Sequence, residues 1–324
     1  MKTDTDTAQR SDHPALDALC LPDRVTLGLL LPVDNDWARW SGAGVSMPDL
    51  AQGTSHVRLA DEIGFRGAWL RDVPTFDPAG GDPGQVYDPW TYLGYLAAVT
   101  RRITLGTAAV VTPLDHDLHL AKRAASVDVL SHGRFVLGLA TGDRPHEYGL
   151  FGADYAGRGE RFRTSLERLP GLWTGAAAAH GSFGATPFQL APAPVQRRLP
   201  LVVVGGAQQS LDWIAAHADG WFSYAGSIGK LTALRRAWDA AQQECGCTGK
   251  PLMMALRVVL DADRNAQLTP FPMGVRAGIG ELKRYLAQLH DAGIGHVALN
   301  LRMSPRPLTQ VLEELGREPG LLHD

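Results

Sequence analysis

Lysine is scarce in this sequence, and no strong excess of charge of one sign is present. The 324 residues include five lysines, at positions 2, 122, 230, 250 and 283, so chemistry that needs a lysine Schiff base has few candidates. The formal net charge of -3 excludes a broadly basic surface for nucleic acid or for a membrane. No apolar run approaches the ~20 residues of a membrane span. We therefore expect no nucleic-acid partner and no membrane partner.

Cysteine is also rare, with Cys20, Cys245 and Cys247 as the complete set. Their number is odd, and the last two are too close in sequence to form a bridge without strain. The first residues are polar and lack the apolar core of a signal peptide. These features predict a reduced, cytoplasmic compartment.

Eight short apolar runs alternate with helical patterns along the chain. The runs are residues 25–31, 67–71, 103–111, 135–140, 201–204, 220–224, 252–260 and 296–301. They are continuous rather than alternating, as expected for parallel strands whose two faces are both covered. The pattern predicts an α/β fold, a (β/α)8 TIM barrel. A doubly wound open sheet is the alternative, but Pro32-Val33-Asp34-Asn35 follows the first strand where that fold carries a glycine-rich turn.

The domain organisation follows from the same pattern. Residues 1–24 are polar and irregular, which favours a mobile N-terminal arm. Residues 25–324 form one predicted barrel domain. An irregular insertion over 174–199, rich in alanine, glycine and proline, follows the fourth helix, and 261–278 is predicted to be a loop.

Polar residues cluster in the loops that follow the second and fourth strands. Arg71 and Asp72 follow the second strand, and Thr141, Asp143 and Arg144 follow the fourth. Loops at the carboxyl ends of barrel strands carry the active site in this fold. Arg71 with Asp72, and Asp143 with Arg144, are therefore candidates for substrate binding or catalysis. The alternative for each pair is an internal ion pair.

A glycine-rich turn follows the fifth strand. Gly205-Gly206-Ala207 precedes a helix predicted over 208–218, so its backbone N–H groups are suited to binding a phosphate at a helix terminus. Arg144 or Arg158 would add a guanidinium to the same phosphate. A tight turn without a ligand is the alternative, and the loop over 274–280 is a second location for the phosphate.

A metal centre is weakly supported. His116 and His119 lie three residues apart near a helix start, beside Asp115 and Asp117, but histidines that make local hydrogen bonds at a helix entry explain this spacing better. We expect no metal. Without a metal, a Schiff base or an obvious nucleophile, a bound organic cofactor is the simplest source of reactivity.

Several motifs, taken in order, resemble the luciferase-like flavin monooxygenases. They are Gly64-Phe65 before Trp69-Leu70, Leu105-Gly106-Thr107-Ala108-Ala109-Val110-Val111-Thr112-Pro113 with His116, Ser131-His132-Gly133-Arg134-Phe135 with Gly138 and Gly142, Tyr148-Gly149-Leu150-Phe151-Gly152, and Ala292-Gly293-Ile294-Gly295-His296-Val297. Each motif alone is modest, but their order and spacing are specific. The resemblance covers about residues 25–315.

The resemblance implies a (β/α)8 barrel that binds reduced FMN and uses dioxygen to oxidise a small organic substrate. A separate flavin reductase usually supplies the reduced FMN in similar proteins, and homodimers packed through helices are common among them. By position, the flavin ring would lie against Thr107, Ala108 and Ala109, with a cis peptide between the two alanines. Thr141 and Gly142 would line the ring or ribityl chain. The phosphate would be held by Gly206, Ala207 and Gln208, with Arg158 nearby.

The sequence departs from the true luciferases after the second strand. Those proteins carry a histidine there that is important for light emission, whereas this chain has Arg71-Asp72-Val73-Pro74. We therefore do not expect light emission. The catalytic candidates remain Arg71, Asp72, Asp143 and Arg144. A deazaflavin-dependent hydride transfer and a non-catalytic flavin-binding protein are the alternative functions.

Overall fold

Eight parallel strands close into a barrel, which confirms the predicted (β/α)8 fold. The structure is a computed structural model and describes residues 12–33, 49–75, 87–175 and 188–323. The barrel strands are β1 (Thr26–Leu30), β2 (Gly67–Leu70), β3 (Thr104–Thr107), β5 (Phe135–Ala140), β6 (Leu201–Val204), β7 (Gly220–Tyr224), β8 (Leu252–Leu260) and β11 (His296–Asn300). Parallel pairing runs in that order, and β11 closes the ring by pairing with both β8 and β1.

Helices connect the strands and cover the outside of the barrel. Their bounds are α1 (Pro14–Leu19), α2 (Leu50–Glu62), α3 (Pro89–Val99), α4 (Asp117–Leu130), α5 (Pro145–Leu150), α6 (Arg158–Thr174), α7 (Leu211–His217), α8 (Ile228–Glu244), α9 (Ile279–Asp291) and α10 (Leu308–Arg317). The local sequence explains where several of these helices begin. Asp88, for example, accepts a hydrogen bond from the Thr91 N–H at 2.8 Å, and Pro89 takes the first helical position.

The barrel interior contains a hydrogen-bonded pair of large side chains, Trp69 and His296, which are both fully buried. Trp69 Nε1–H donates to His296 Nε2 at 2.9 Å. The proton of the neutral imidazole is therefore on Nδ1, which lies 2.7 Å from Thr26 Oγ1. The Thr26 hydroxyl in turn donates to the Leu19 carbonyl. The side-chain polar atoms of Trp69, His296 and Thr26 thus each have a hydrogen-bond partner inside the apolar barrel.

Glycines on neighbouring strands make room for this pair. A Cβ at Gly28 would lie 2.6 Å from His296 Nε2, and one at Gly106 would lie 2.6 Å from the Trp69 ring. A Cβ at Gly67 would lie 2.8 Å from Trp69 Nε1. The two large rings and the glycines around them are therefore complementary in volume.

The amino end of the barrel is closed by α1, which corrects the prediction of a mobile arm over residues 1–24. Ala15, Leu16 and Leu19 are buried and pack with Trp69 and other interior side chains. The sequence did not indicate this helix because its six residues, fewer than two turns, are too short to show a helical period. Residues 1–11 of the predicted arm lie outside the described residues.

Two further segments differ from the sequence predictions, whereas the predicted insertion is irregular where it is described. The predicted strand 103–111 is divided into β3 and β4 (Val110–Val111), separated by Ala108 and Ala109. The predicted loop 261–278 contains a hairpin of β9 (Thr269–Phe271) and β10 (Gly274–Ala277), and β10 extends the sheet by pairing with β8. In the predicted insertion, residues 188–199 form neither helix nor strand, and 176–187 lie outside the described residues.

No helix in the described part of the chain combines the length and the apolar character needed to cross a bilayer.

Burial of His296 makes the stability of the fold depend on pH. Desolvation lowers the pKa of His296 from 6.5 to about 3. Between these values the unfolded chain binds a proton that the folded chain does not, so the free energy of unfolding falls as the pH falls. The resulting loss for one such histidine between pH 7 and pH 5 is about 2 kcal/mol.

We therefore expect His296→Asn to show a smaller loss of stability than the wild type between pH 7 and pH 5, measured by urea denaturation. His119→Asn, at an exposed position, is the control and should behave like the wild type. An unchanged pH dependence in His296→Asn would contradict the buried, neutral assignment.

Candidate active site

The carboxyl ends of the barrel strands bring most of the polar candidates to one face, here called the mouth. Described loops at the mouth follow β2 (residues 71–75), β3 (108–109), β5 (141–144), β6 (205–210) and β7 (from 225). Most of the loop after β1, residues 34–48, lies outside the described residues. The opposite face is closed by α1, so the mouth is the side of the barrel from which a ligand reaches the interior.

Two small residues interrupt the sheet at the mouth. Ala108 and Ala109 lie between β3 and β4, are joined by a cis peptide bond, and are partly exposed. The cis peptide confirms the expectation drawn from the family resemblance. Because both side chains are methyl groups, the backbone here is accessible to a flat ligand.

Thr107, the third residue of that motif, is fully buried and holds two strands together. Its hydroxyl donates to the Gly138 carbonyl at 2.7 Å and accepts from the Gly138 N–H at 2.9 Å. A Cβ at Gly138 would lie 1.8 Å from the Thr107 carbonyl oxygen, so this close approach requires glycine. The hydroxyl of Thr107 is thus used between β3 and β5, while the two alanines provide the accessible surface.

The loop after β5 turns sharply at Gly142. Its φ of 69° lies in the left-handed region, and a Cβ there would lie 2.7 Å from Val111 Cγ1, so both backbone and packing require glycine. The preceding Thr141 is buried, and its carbonyl accepts a hydrogen bond from the Tyr148 hydroxyl. Burial raises the pKa of Tyr148 to about 12, so this hydroxyl keeps its proton and the hydrogen bond persists at ordinary pH.

Asp72 is a carboxyl group that titrates near neutral pH. Burial is the main cause that raises its pKa from 3.8 to about 6. A hydrogen bond from the Val111 N–H, at 3.1 Å, favours the charged form, and the nearby carboxylates of Asp88, Asp115 and Glu147 oppose it. Asp72 therefore gains or loses its proton closer to neutral pH than an ordinary aspartate does. Arg71, partly buried, precedes it directly.

Arg144 binds a carboxylate that the sequence analysis did not single out. Its Nη1 lies 3.3 Å from Glu147 Oε1, and Thr75 Oγ1 donates to the same oxygen at 3.1 Å. Glu147 is 3% exposed, so its charge needs these partners. The spacing in the sequence could have indicated this ion pair, because residues three apart at a helix start face each other.

Asp143, next to Arg144 in the sequence, is exposed. It faces Tyr224, whose pKa is raised first by burial and then by the charge of Asp143. A Cβ built at Gly205 would lie 2.9 Å from the Tyr224 hydroxyl oxygen. Tyr224 therefore lies between the loop after β5 and the loop after β6, a role that the sequence did not indicate.

The loop after β6 presents three unpaired backbone donors. Gly205, Ala207 and Gln208 have φ values of 67°, 42° and 57°, so the chain makes a left-handed turn in which only one of the three is glycine. Within the described part of the chain, no acceptor receives the N–H groups of Gly206, Ala207 and Gln208. Non-glycine residues in this region are strained and concentrate at ligand sites. A run of free N–H groups in such a turn attracts an anion.

The position of this turn corrects one part of the sequence prediction. The helix does not begin at residue 208 but at Leu211, and the Ser210 hydroxyl accepts the Trp213 N–H at 3.2 Å. The N-terminus of α7 is thus capped by the Ser210 side chain. Anion binding here depends on the loop N–H groups rather than on the helix end.

Arg158, at the start of α6, lies against this loop. Its guanidinium carbon lies 3.6 Å from the centre of the Tyr155 ring, and its Nη1 donates to the Tyr155 carbonyl at 2.6 Å. With the amide oxygen of Gln208 turned toward it, Gln208 accepts from the same guanidinium. The buried Nε of Arg158 has no hydrogen-bond partner among the residues described. The loop and Arg158 together form what we call the anion seat, defined as residues 206–208 with Arg158.

His116, one of the two histidines near α4, has a structural role. His116 Nδ1 accepts a hydrogen bond from the Leu118 N–H at 3.3 Å, so His116 caps the helix. In the described ranges, no group of three or more histidine, cysteine, aspartate or glutamate side chains is arranged to hold a metal ion.

Comparison with known proteins assigns the family. Residues 25–305 match the family model described as luciferase-like monooxygenase. An uncharacterized protein of Mycobacterium tuberculosis is 34% identical over 234 residues, which covers 65% of this chain and 80% of that protein.

Two relatives with named activities use different cofactors. The oxygenase component of a flavin-dependent trigonelline monooxygenase from Acinetobacter baylyi is 28% identical, over 58% of this chain and 54% of that protein. An F420-dependent hydroxymycolic acid dehydrogenase from Mycobacterium tuberculosis is 29% identical, over 59% of this chain and 54% of that protein.

Among solved structures, the oxygenating constituent of 3,6-diketocamphane monooxygenase from Pseudomonas putida, in complex with FMN, has the same fold. The TM-score is 0.69 at 15% identity, with 93% of this chain and 100% of that chain covered. With the family model matching most of the chain, the protein belongs to the luciferase-like monooxygenase family of oxidoreductases that use flavin-type cofactors.

Proposed function

We propose that this protein is an FMN-dependent monooxygenase, in which reduced FMN and dioxygen oxidise a small organic substrate. The observation that carries the proposal is the anion seat, where three N–H groups that bond to no described residue lie with a guanidinium beside the barrel mouth. A terminal phosphate suits this set of donors, since it accepts several charge-assisted hydrogen bonds at once. The similarity to an oxygenase component supports a separate reductase as the source of reduced flavin.

The residues at the mouth fit the parts of FMN in order. Gly206, Ala207, Gln208 and Arg158 would hold the phosphate, and the buried Nε of Arg158 would gain the partner that it lacks. The flavin ring would lie against Ala108 and Ala109, with the adjacent buried Thr107 supporting the strand beneath them. Thr141 and Gly142 would border the ring or the ribityl chain. When bound, the flavin supplies the electrons and the site for activating dioxygen.

Among the catalytic candidates, Asp72 is the group that we propose to move a proton during the reaction. Its pKa of about 6 matches the requirement that a general acid or base titrate near the working pH. Arg71, next to it, would bind a polar or anionic part of the substrate. Arg144, which is paired with Glu147, would position the loop after β5. Asp143, exposed beside Tyr224, would contact the substrate at the rim.

A deazaflavin-dependent hydride transfer is the second candidate function. The similarity to an F420-dependent dehydrogenase favours it, at 29% identity over 59% of this chain. The same anion seat would accept the phosphodiester of a deazaflavin cofactor. The two functions differ in the use of dioxygen, because a deazaflavin transfers hydride and does not activate oxygen.

The cofactor and the use of oxygen can be measured on the purified protein. We expect reduced FMN, titrated anaerobically, to raise the melting temperature, and F420 to have a weaker effect. We also expect oxygen uptake that depends on substrate when a flavin reductase, NADH and a panel of small organic substrates are supplied. Binding of F420 without oxygen uptake would favour the second candidate. Tight flavin binding without turnover of any substrate would indicate a non-catalytic flavin-binding protein. If none of these cofactors had an effect, all three functions would be rejected.

The anion seat can be tested by filling it. A Cβ at Gly206 meets no atom within 4 Å, so Gly206→Phe is accommodated by the fold but places a ring among the free N–H groups. We expect it to weaken FMN binding more than tenfold. Gly229→Phe, at an equally open position on α8, is the matched control and should bind FMN like the wild type. An unchanged dissociation constant for Gly206→Phe would place the phosphate elsewhere.

The role of Asp72 predicts a pH profile. Its carboxyl group loses its proton as the pH rises through about 6, so activity that needs the charged form should rise over the same range. This rise is the acidic limb of the pH profile of kcat/KM for substrate-dependent oxygen uptake. We expect the limb to be absent in Asp72→Asn. Asp143→Asn should keep the limb. A limb near pH 6 that persists in Asp72→Asn would assign it to another group.

A further inference from the structure

Two partly buried thiols lie side by side on the face of the barrel opposite the mouth. Cys245 and Cys247 follow the end of α8 and precede β8, so they lie near the amino ends of the strands. No residue of the proposed active site is in this segment. The pair is therefore separate from flavin chemistry, and the inference below does not depend on the proposed function.

The backbone of the segment brings the two cysteines together. Gly246 has a φ of 69° and reverses the chain at the end of α8. The Cys247 N–H bonds back to the Gln242 carbonyl at 2.8 Å, and the Gly246 N–H to the Gln243 carbonyl at 3.1 Å. Hydrogen bonds of this kind are typical of a helix that ends at a glycine in the left-handed region. They hold the residues on either side of that glycine against the last helical turn. The chain therefore fixes both thiols at one corner.

The side-chain contacts confirm that the thiols are neighbours. Cys245 Sγ donates to the Gln242 carbonyl at 3.2 Å, and Cys247 Sγ lies 3.6 Å from the Cys245 carbonyl. The side chain of Cys247 is the largest cause that raises the pKa of Cys245, ahead of burial. Lys250 lies close enough to oppose this increase. Both thiols are partly accessible, so a small reagent reaches them.

The remaining cysteine serves as an internal reference. Cys20 packs against the chain at Gly295, where a Cβ would lie 3.2 Å from its Sγ. Burial raises the pKa of Cys20 to about 12, so its thiolate is not formed at ordinary pH. Cys20 is partly accessible like the other two cysteines, and we expect a mild oxidant to leave it unchanged in the folded protein because its thiol keeps its proton.

We propose that Cys245 and Cys247 form a modification site at which a hydroperoxide reversibly produces an intramolecular disulfide. One thiolate attacks a peroxide oxygen, the O–O bond breaks, and a sulfenic acid and, after protonation, one water are formed. The second thiol attacks that sulfur, the S–O bond breaks, and the hydroxyl leaves as a second water. In sum, two thiols lose two electrons and two protons, and hydrogen peroxide is reduced to two waters. The small ring is strained, and strained disulfides are readily reduced by thiols.

The test uses the full chain, reduced and then treated with a small excess of hydrogen peroxide. After quenching, the protein is denatured, alkylated and measured by intact mass and peptide mapping. We expect the number of alkylated cysteines to fall from three to one, with Cys20 the one that remains. The mass before alkylation should decrease by two hydrogen atoms, and dithiothreitol should restore all three thiols. Three free thiols after treatment, oxygen added without reversal, or a disulfide between two chains would overturn the proposal.

The single variants Cys245→Ser and Cys247→Ser supply the matched controls. Each keeps one thiol of the pair and removes the other with little change in volume. We expect neither variant to form an intramolecular disulfide, and we expect dimedone to trap a sulfenic acid on the remaining cysteine of the pair in at least one of them. A dithiothreitol-sensitive internal disulfide in either variant would show that Cys20 is involved, which contradicts the assignment.

Discussion

The packing of the barrel interior is the constraint on which the rest of this structure depends. Eight parallel strands enclose a space that must be filled without leaving a polar group unpaired. Trp69 and His296 fill it together with the apolar side chains packed around Trp69. Their hydrogen bonds continue through Thr26 to the carbonyl of Leu19. Because α1 carries Leu19 into this network, the same contacts that fill the barrel also close its amino end.

Closure of one end leaves the other for ligands, and the two ends differ in chemistry. The interior below the mouth is apolar, and the polar side chains of Trp69, His296 and Thr26 are hydrogen-bonded there. Among the described residues, the mouth has backbone donors without acceptors at 206–208, a carboxyl group with a raised pKa at Asp72, and a guanidinium nitrogen without a partner at Arg158. Unpaired donors next to a rigid scaffold are pre-organised for an anionic ligand, since no internal bonds must be broken when it binds.

Much of the framework was predictable from sequence because it depends on local patterns. Strands such as Phe135–Ala140 and Leu252–Leu260 are continuous apolar runs, and α4 and α8 begin and end where their periodicity indicates. The short helix α1 was missed because its burial depends on the barrel above it. The left-handed turn at Ala207 and Gln208 was missed because neither residue type favours that conformation.

The sequence could predict which loops form the candidate site, but less of which side chains pair with one another there. The family resemblance located the cis peptide at Ala108, and the glycine-rich turn indicated the anion seat. The partner of Arg144 remained open in sequence, since Asp143 is adjacent to it and Glu147 one helical turn away. Burial of Glu147 selects that carboxylate, because an unpaired charge there would be costly.

A crystal structure of the protein with FMN bound would show directly which residues hold the phosphate. We expect the FMN phosphate within hydrogen-bond distance of the N–H groups of residues 206–208 and of Arg158, with the flavin ring against Ala108 and Ala109. A phosphate bound at another loop, such as 274–280, with the seat at 206–208 left to solvent, would contradict this expectation.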